Sequence, residues 1–161
     1  MVFVLFRHAH KGVTPLHDPE LSPKGFVQAE KLLKLVEQKQ LLAPTHLLVS
    51  PKIRTLQTLS LIANELSISP QTASELDQRL DFEPLPDFRT RIQNFLNNLP
   101  KKNFDRNAII YGCTHFDWIE EAMSIIKCNV DLLSAEYAHW APAQFLIFEI
   151  KSDQEKYSWS L

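Results

Sequence analysis

The chain has 161 residues, 45% hydrophobic and 22% charged, with a formal net charge of -2. That length and apolar content suffice for one buried core, so a single domain over residues 1–161 is expected. The balanced charge, with no basic stripe, excludes nucleic acid as a leading partner, and no apolar stretch approaches the roughly 20 residues of a membrane-spanning helix.

Val2 to Phe6 is continuously apolar and rich in strand formers, as in a strand covered on both faces within a parallel sheet. It is too short for the apolar stretch of a secretory signal and follows no basic residues, so it is expected to belong to the fold. Ser22-Pro23 pairs a capping side chain with a proline at the first helical position. Phe26, Ala29, Leu32, Leu33 and Val36 then recur at helical spacing. His46 to Val49 reads as a second strand. Ser50-Pro51 repeats the start signal ahead of Ile53, Leu56, Leu59, Ala63 and Leu66, which predicts a second helix. Ser69 to Pro86 has no clear period and contains Pro70, Pro84 and Pro86, the mark of a surface excursion that often borders a site. Phe88, Ile92, Phe95, Leu96 and Leu99 predict a third helix, Ala108 to Tyr111 a third strand, and Ile119, Ala122, Met123 and Ile126 a fourth helix. Gln144 to Ile150 reads as a late strand and Lys156 to Ser160 as a further one.

This alternation predicts an α/β fold: a three-layer α/β/α sandwich with a mainly parallel central sheet and a ligand site beyond the carboxyl ends of the strands. Cys113 and Cys128 are too few for a disulfide framework and lie in apolar stretches, so free thiols in a reducing, cytoplasmic setting are expected.

Strands ending near Phe6, Val49 and Tyr111 deliver Arg7-His8, the Ser50 to Arg54 segment and Thr114-His115 to one edge of the sheet. Two histidines and two arginines there form a cationic pocket, and guanidinium forks match the oxygens of a phosphoryl group. Helix N-termini after Ser50 and His115 add free amide donors. A neutral imidazole in such a pocket can attack phosphorus in line and form a phospho-imidazole that then breaks down. His8 is the candidate nucleophile, with Arg7 fixed beside it; His115 is expected to donate a hydrogen bond to the phosphoryl oxygens. His8, His10, His17, His115 and His139 with Asp18 and Asp117 invite a metal reading, but the neighbouring arginines would repel a cation, so no metal or cofactor is expected. Ser22 and Ser50 read as helix caps, Ser50 also lying near the phosphate. His46 reads as structural, and Trp140 either forms part of the rim or packs.

These blocks resemble the histidine phosphatase superfamily, also called the phosphoglycerate-mutase-like family. Its Arg-His-Gly after the first strand looks like Arg7-His8-Ala9. Its Leu-Ser/Thr-x-x-Gly-x-x-Gln-Ala opening of the first helix is similar to Leu21-Ser22-Pro23-Lys24-Gly25-Phe26-Val27-Gln28-Ala29. Its Ser-x-x-x-Arg-x-x-Gln-Thr segment is similar to Ser50 through Thr58, and its second histidine to His115. The resemblance implies a phosphoglycerate-mutase-like fold, transient phosphorylation of His8, and a cradle of Arg7, Arg54 and His115. Length and the lack of large insertions resemble the short SixA branch of phosphohistidine phosphatases.

Ala9 stands in place of the family's glycine, and His10 where an acidic residue is frequent. Phe116-Asp117 replaces small residues, which narrows the mouth and makes Phe116 a substrate-binding candidate with Ser50. By the family's spacing the general acid would fall on Gln78, which cannot donate a proton as an acid does; Glu75, Asp77, Asp81 and Glu83 remain as candidates. Without an acid the site needs a leaving group that departs with little help, such as a phosphoramidate or acyl phosphate. The expected activity is a metal-independent phosphatase acting on a phosphohistidine protein or a phosphorylated small molecule. The alternatives are a small-molecule phosphomonoesterase or mutase of the same family, or a phosphate-binding pseudoenzyme.

Overall fold

The computed structural model describes residues 1–153 and 156–161. Its strands are β1 (Val2–Arg7), β2 (His46–Val49), β3 (Gln71–Thr72), β4 (Ile109–Thr114), β5 (Phe145–Asp153) and β6 (Lys156–Ser160), arranged in one sheet as β3-β2-β4-β1-β5-β6. The β3–β2, β2–β4 and β4–β1 pairs are parallel, whereas β1–β5 and β5–β6 are antiparallel. The sheet is therefore mixed with a parallel majority.

β1 shows why the fold is three layers deep. Phe3 and Leu5 enter one core, and Val4 and Phe6 enter the other. The first core is closed by α3 (Leu85–Asn98) and α4 (Phe116–Ile125) through Phe88, Ile92, Phe95, Trp118 and Ile119. The second is closed by α1 (Pro23–Glu37) and α2 (Ile53–Glu65) through Leu32, Val36, Leu59 and Ile62. A strand buried on both faces loses the polar alternation of a half-exposed one, which is the pattern read from residues 2–6.

Ser22 caps α1 as expected, its Oγ accepting from the Gly25 N–H at 3.1 Å. Ser50 does not cap α2. The Ser50 N–H instead donates to the Cys113 carbonyl at 3.2 Å and prolongs the sheet ladder, so α2 begins at Ile53 with Lys52 before it. The open amide of Ile53 is satisfied by Asp18 Oδ2 at 3.1 Å. β3 went unread because it is two exposed residues with no apolar alternation. His46 is structural: its Nδ1 lies 2.8 Å from Thr45 Oγ1 and its ring meets the edge of Phe104. Cys113 and Cys128 are free thiols. Among the described residues no helix is long and apolar enough to cross a membrane.

The segment after β1 crosses closely over α1, and Gly25 makes that crossing possible. A Cβ there would sit 2.1 Å from the His10 carbonyl oxygen. Gly25→Ala should therefore destabilise the fold by about 2 kcal/mol, as overpacking against rigid backbone does. Urea unfolding measures this; a change below about 0.5 kcal/mol, the size of an ordinary surface substitution, would show that the crossing is not tight.

Candidate active site

The strand register sets the site. Arg7 pairs with Thr114 and Val49 with Cys113, so β1, β2 and β4 end level. The ladder continues one step further, the His8 N–H donating to the Thr114 carbonyl at 2.9 Å. His8 and His115 consequently face each other, with ring centroids 5.3 Å apart and planes at 60°. Above them opens a cavity of about 610 Å³ whose lining includes Arg7, His8, Arg54, Gln78, His115 and Phe116. That volume suits a small-molecule site.

His8 is buried, and its Nδ1 lies 2.7 Å from the Ala9 carbonyl oxygen. A carbonyl can only accept, so the ring proton resides on Nδ1 and the lone pair on Nε2 is free. Burial drives the imidazole pKa from 6.5 down to about 4; Arg54, Arg7 and Lys11 push the same way, and the Ala9 bond opposes them. His8 is thus neutral at pH 7.

Arg54 is only 3% exposed. Its Nη1 donates to Asp18 Oδ1 at 3.2 Å, and its Nη2 donates to Gln78 Oε1 at 2.6 Å and to His115 Nδ1 at 3.1 Å. Arg7 donates through Nη1 to the Trp140 carbonyl, and its Cζ lies 4.9 Å from the centre of the Phe116 ring. Burial lowers both guanidinium pKa values, yet both groups stay charged. The Nε–H groups of Arg7 and Arg54 are buried with no hydrogen-bond partner among the described residues. Buried donors left unsatisfied are costly; both side chains line the cavity, and guanidinium groups there fit an oxygen-rich anion.

Because Arg54 always donates, His115 Nδ1 must be the bare nitrogen and Nε2 must carry the proton. That N–H donates to Ser50 Oγ at 2.7 Å. The donor that sequence reading aimed at the phosphoryl oxygens is therefore held by Ser50. Burial, with Arg54 next, lowers the His115 pKa to about 2, so this ring is also neutral.

Four carboxylates stood as candidate acids, and none lines the cavity. Glu83 pairs with Arg91 at 2.7 Å, Glu75 contacts Ser74 Oγ, and Asp81 is exposed. Asp77 lies behind His115, 3.6 Å from its Nε2, with its pKa raised by burial. Gln78 does line the cavity and holds Arg54. Asp117, a lining residue not proposed as an acid from sequence, accepts the Arg79 N–H at 2.8 Å through Oδ2. Asp18, which from sequence reads only as a metal-ligand candidate, couples Arg54 to the start of α2. Trp140 packs in the core and serves the site through its carbonyl. Three side chains of the matching motifs tie the loop after His8 in place. Thr58 Oγ1 accepts from the Ala9 N–H at 2.9 Å, Gln28 Oε1 from the His10 N–H at 2.8 Å, and Gln57 Oε1 from the Leu21 N–H at 2.8 Å.

A depressed imidazole pKa makes the unfolded chain bind more protons between pH 6.5 and about 4, so stability is lost as pH falls through that window. His8 should contribute about 2 kcal/mol of the loss between pH 7 and pH 5. Denaturant unfolding of wild type and His8→Asn at both values tests this; equal losses in the two proteins would contradict it.

Residues 3–82 match the family model for the histidine phosphatase superfamily (branch 1). No curated protein is similar to the chain in sequence. Among the solved structures that share its fold are three phosphatases. A mycobacterial glucosyl-3-phosphoglycerate phosphatase superposes with a TM-score of 0.72 at 16% identity, covering 98% of this chain and 95% of that one. The phosphoserine phosphatase of Entamoeba histolytica gives 0.69 at 15%, covering 96% and 98%. The protein histidine phosphatase SixA bound to tungstate gives 0.64 at 16%, covering 99% and 94%. With the motif blocks, the sheet order and the paired histidines at the strand ends, these matches lead to one assignment: the chain belongs to the histidine phosphatase superfamily.

Proposed function

We propose that residues 1–161 act as one domain, a metal-independent phosphatase with His8 as the covalent phosphoryl carrier, working on leaving groups that depart with little protonation. Phosphohistidine in a protein is the preferred substrate class. The main support is a single juxtaposition: a neutral, buried imidazole with its Nε2 lone pair free, lining one cavity with the guanidinium-bearing Arg7 and Arg54.

In the first half-reaction Nε2 attacks phosphorus while the bond from phosphorus to the leaving atom breaks, and the electron pair of that bond goes to the leaving group. Arg7 and Arg54 balance the charge on the equatorial oxygens. Water then attacks the phospho-imidazole, its proton passes to the phosphate or solvent, and His8 returns neutral. His115 and Gln78 act on the phosphoryl group by orienting Arg54. Phe116 stacks on Arg7 and narrows the mouth. The free, buried Cys113 suits a reducing compartment such as the cytoplasm.

The preference for easy leaving groups follows from Gln78, which stands where the family's spacing would put the acid and which accepts from Arg54 instead. A second reading rests on Asp117, the one carboxylate among the lining residues. It would protonate an alkoxide and make the protein a small-molecule phosphomonoesterase, in keeping with fold neighbours named for phosphoserine and glucosyl-3-phosphoglycerate.

A substrate panel separates these readings. With chelator present, phosphohistidine or another phosphoramidate should turn over faster than an alkyl phosphate by on the order of a hundredfold or more, the usual worth of an absent general acid. His8→Ala should abolish both activities. Comparable alkyl phosphate turnover that Asp117→Asn removes would establish the phosphomonoesterase reading, loss with chelator would overturn the metal-independent one, and tight phosphate binding without turnover would identify a pseudoenzyme.

A further inference from the structure

Arg91, on α3, lies outside the cavity, yet its guanidinium carries an unusual load. Nε and Nη2 fork onto the two oxygens of Glu83 at 2.8 and 2.7 Å. Nη1 donates to the carbonyls of Ser74, Glu75 and Asp77 at 3.3, 3.0 and 3.0 Å, and Nη2 also reaches the Gln78 carbonyl at 3.1 Å. The same guanidinium lies over the Phe88 ring, 4.9 Å from its centre. Every polar partner belongs to the segment from Ser74 to Glu83.

That segment has little regular structure, only a single 3-10 turn at Ser74–Leu76. It nevertheless carries Gln78, whose side chain holds Arg54, and Asp77, which backs His115. Two further bonds pin its first half: Thr114 Oγ1 to the Leu76 carbonyl at 2.5 Å, and Trp118 Nε1 to the Glu75 carbonyl at 2.8 Å. From Asp77 to Glu83 the side-chain support comes from Arg91, from the Glu83 carboxylate it positions, from the Asp117 contact at the Arg79 amide, and from Asp77 Oδ1, which accepts the Gln78 N–H at 2.9 Å. Glu83 closes the loop from within, its Oε2 accepting the Leu80 N–H at 3.2 Å and its carbonyl accepting from Arg79 Nε at 2.8 Å.

We propose that the Arg91–Glu83 fork is a positioning device: by fixing the Gln78 backbone it sets the angle of the Arg54 guanidinium, and hence the phosphate affinity and turnover of a site that neither residue touches. This deepens the phosphatase reading and rests on it for turnover, though not for phosphate binding. Lysine cannot replace Arg91 in this role, since a point charge satisfies neither the planar fork on Glu83 nor four carbonyls at once.

The experiment is a double-mutant cycle read on two quantities. Inorganic phosphate affinity is measured by calorimetry, and kcat and KM with p-nitrophenyl phosphate, for wild type, Arg91→Lys, Gln78→Ala and the double variant, with Tm recorded for each. Arg91→Lys should weaken phosphate binding and lower kcat/KM by on the order of tenfold to a hundredfold, as small misplacements of a charge-stabilising group do. In the Gln78→Ala background the same substitution should have little further effect, because the link it works through is already cut. Glu83→Gln, which keeps one oxygen for the fork, should fall between wild type and Arg91→Lys.

An equal loss in both backgrounds overturns the proposal, as does a lowered Tm with phosphate affinity unchanged. Wild type that binds phosphate without turnover defeats the catalytic reading alone, and the phosphate cycle still decides for or against Arg91. Wild type that binds no phosphate defeats both.

Discussion

A guanidinium buried to 3% exposure is the constraint around which this site is arranged. Removing Arg54 from water is costly unless its charge and donors are matched, and the chain supplies partners from three loops: Asp18 after β1, Gln78 before α3, and His115 after β4. Each partner is in turn fixed by the backbone or by another side chain. The loops at the carboxyl ends of the strands are therefore organised about one cation, and the cavity they border takes its shape from that arrangement.

The same cation determines the protonation of its neighbours. Burial dominates the depressed pKa of both imidazoles, and Arg54 adds to it in each. A neutral His8 is what nucleophilic attack requires, and a neutral His115 is what allows Arg54 to donate to it. The Nε–H groups of Arg7 and Arg54, buried with no hydrogen-bond partner among the described residues, are costly in the folded chain. Such local cost at a site held rigid by its surroundings is the signature of electrostatic preorganisation.

The convergence of His8, Arg54 and His115 was legible from sequence because the ends of β1 and β2 are; β4 runs on to Thr114 rather than ending near Tyr111, which still delivers His115 to the same edge. A run such as Val2 to Phe6 announces where a buried strand stops, and whatever follows must emerge at the sheet edge. Gly25 and the glutamines and threonine of the motif blocks could likewise be matched by spacing, though not the contacts they make. Ser50 misled, since Ser-Pro ahead of a helical period looks like a cap. Only the sheet register shows that its amide serves β4 and its hydroxyl serves His115. Asp18 and Arg91 were illegible for a different reason. Their partners are set by irregular backbone at 11–20 and 74–83, and no periodicity encodes the path of such segments. The antiparallel direction of β5 was also hidden, because an apolar run carries no sign of its orientation.

The central claim is that the phosphoryl group passes through Nε2 of His8. Wild-type protein mixed with p-nitrophenyl phosphate or a phosphoramidate, quenched in alkali within one turnover and examined by phosphorus NMR and peptide mass spectrometry, tests it directly. One phosphorylated residue is expected, His8, with the phosphorus on Nε2 and none on Nδ1, whose proton is held by the Ala9 carbonyl. Turnover without a phosphorylated His8, or phosphorus found on its Nδ1, would contradict it.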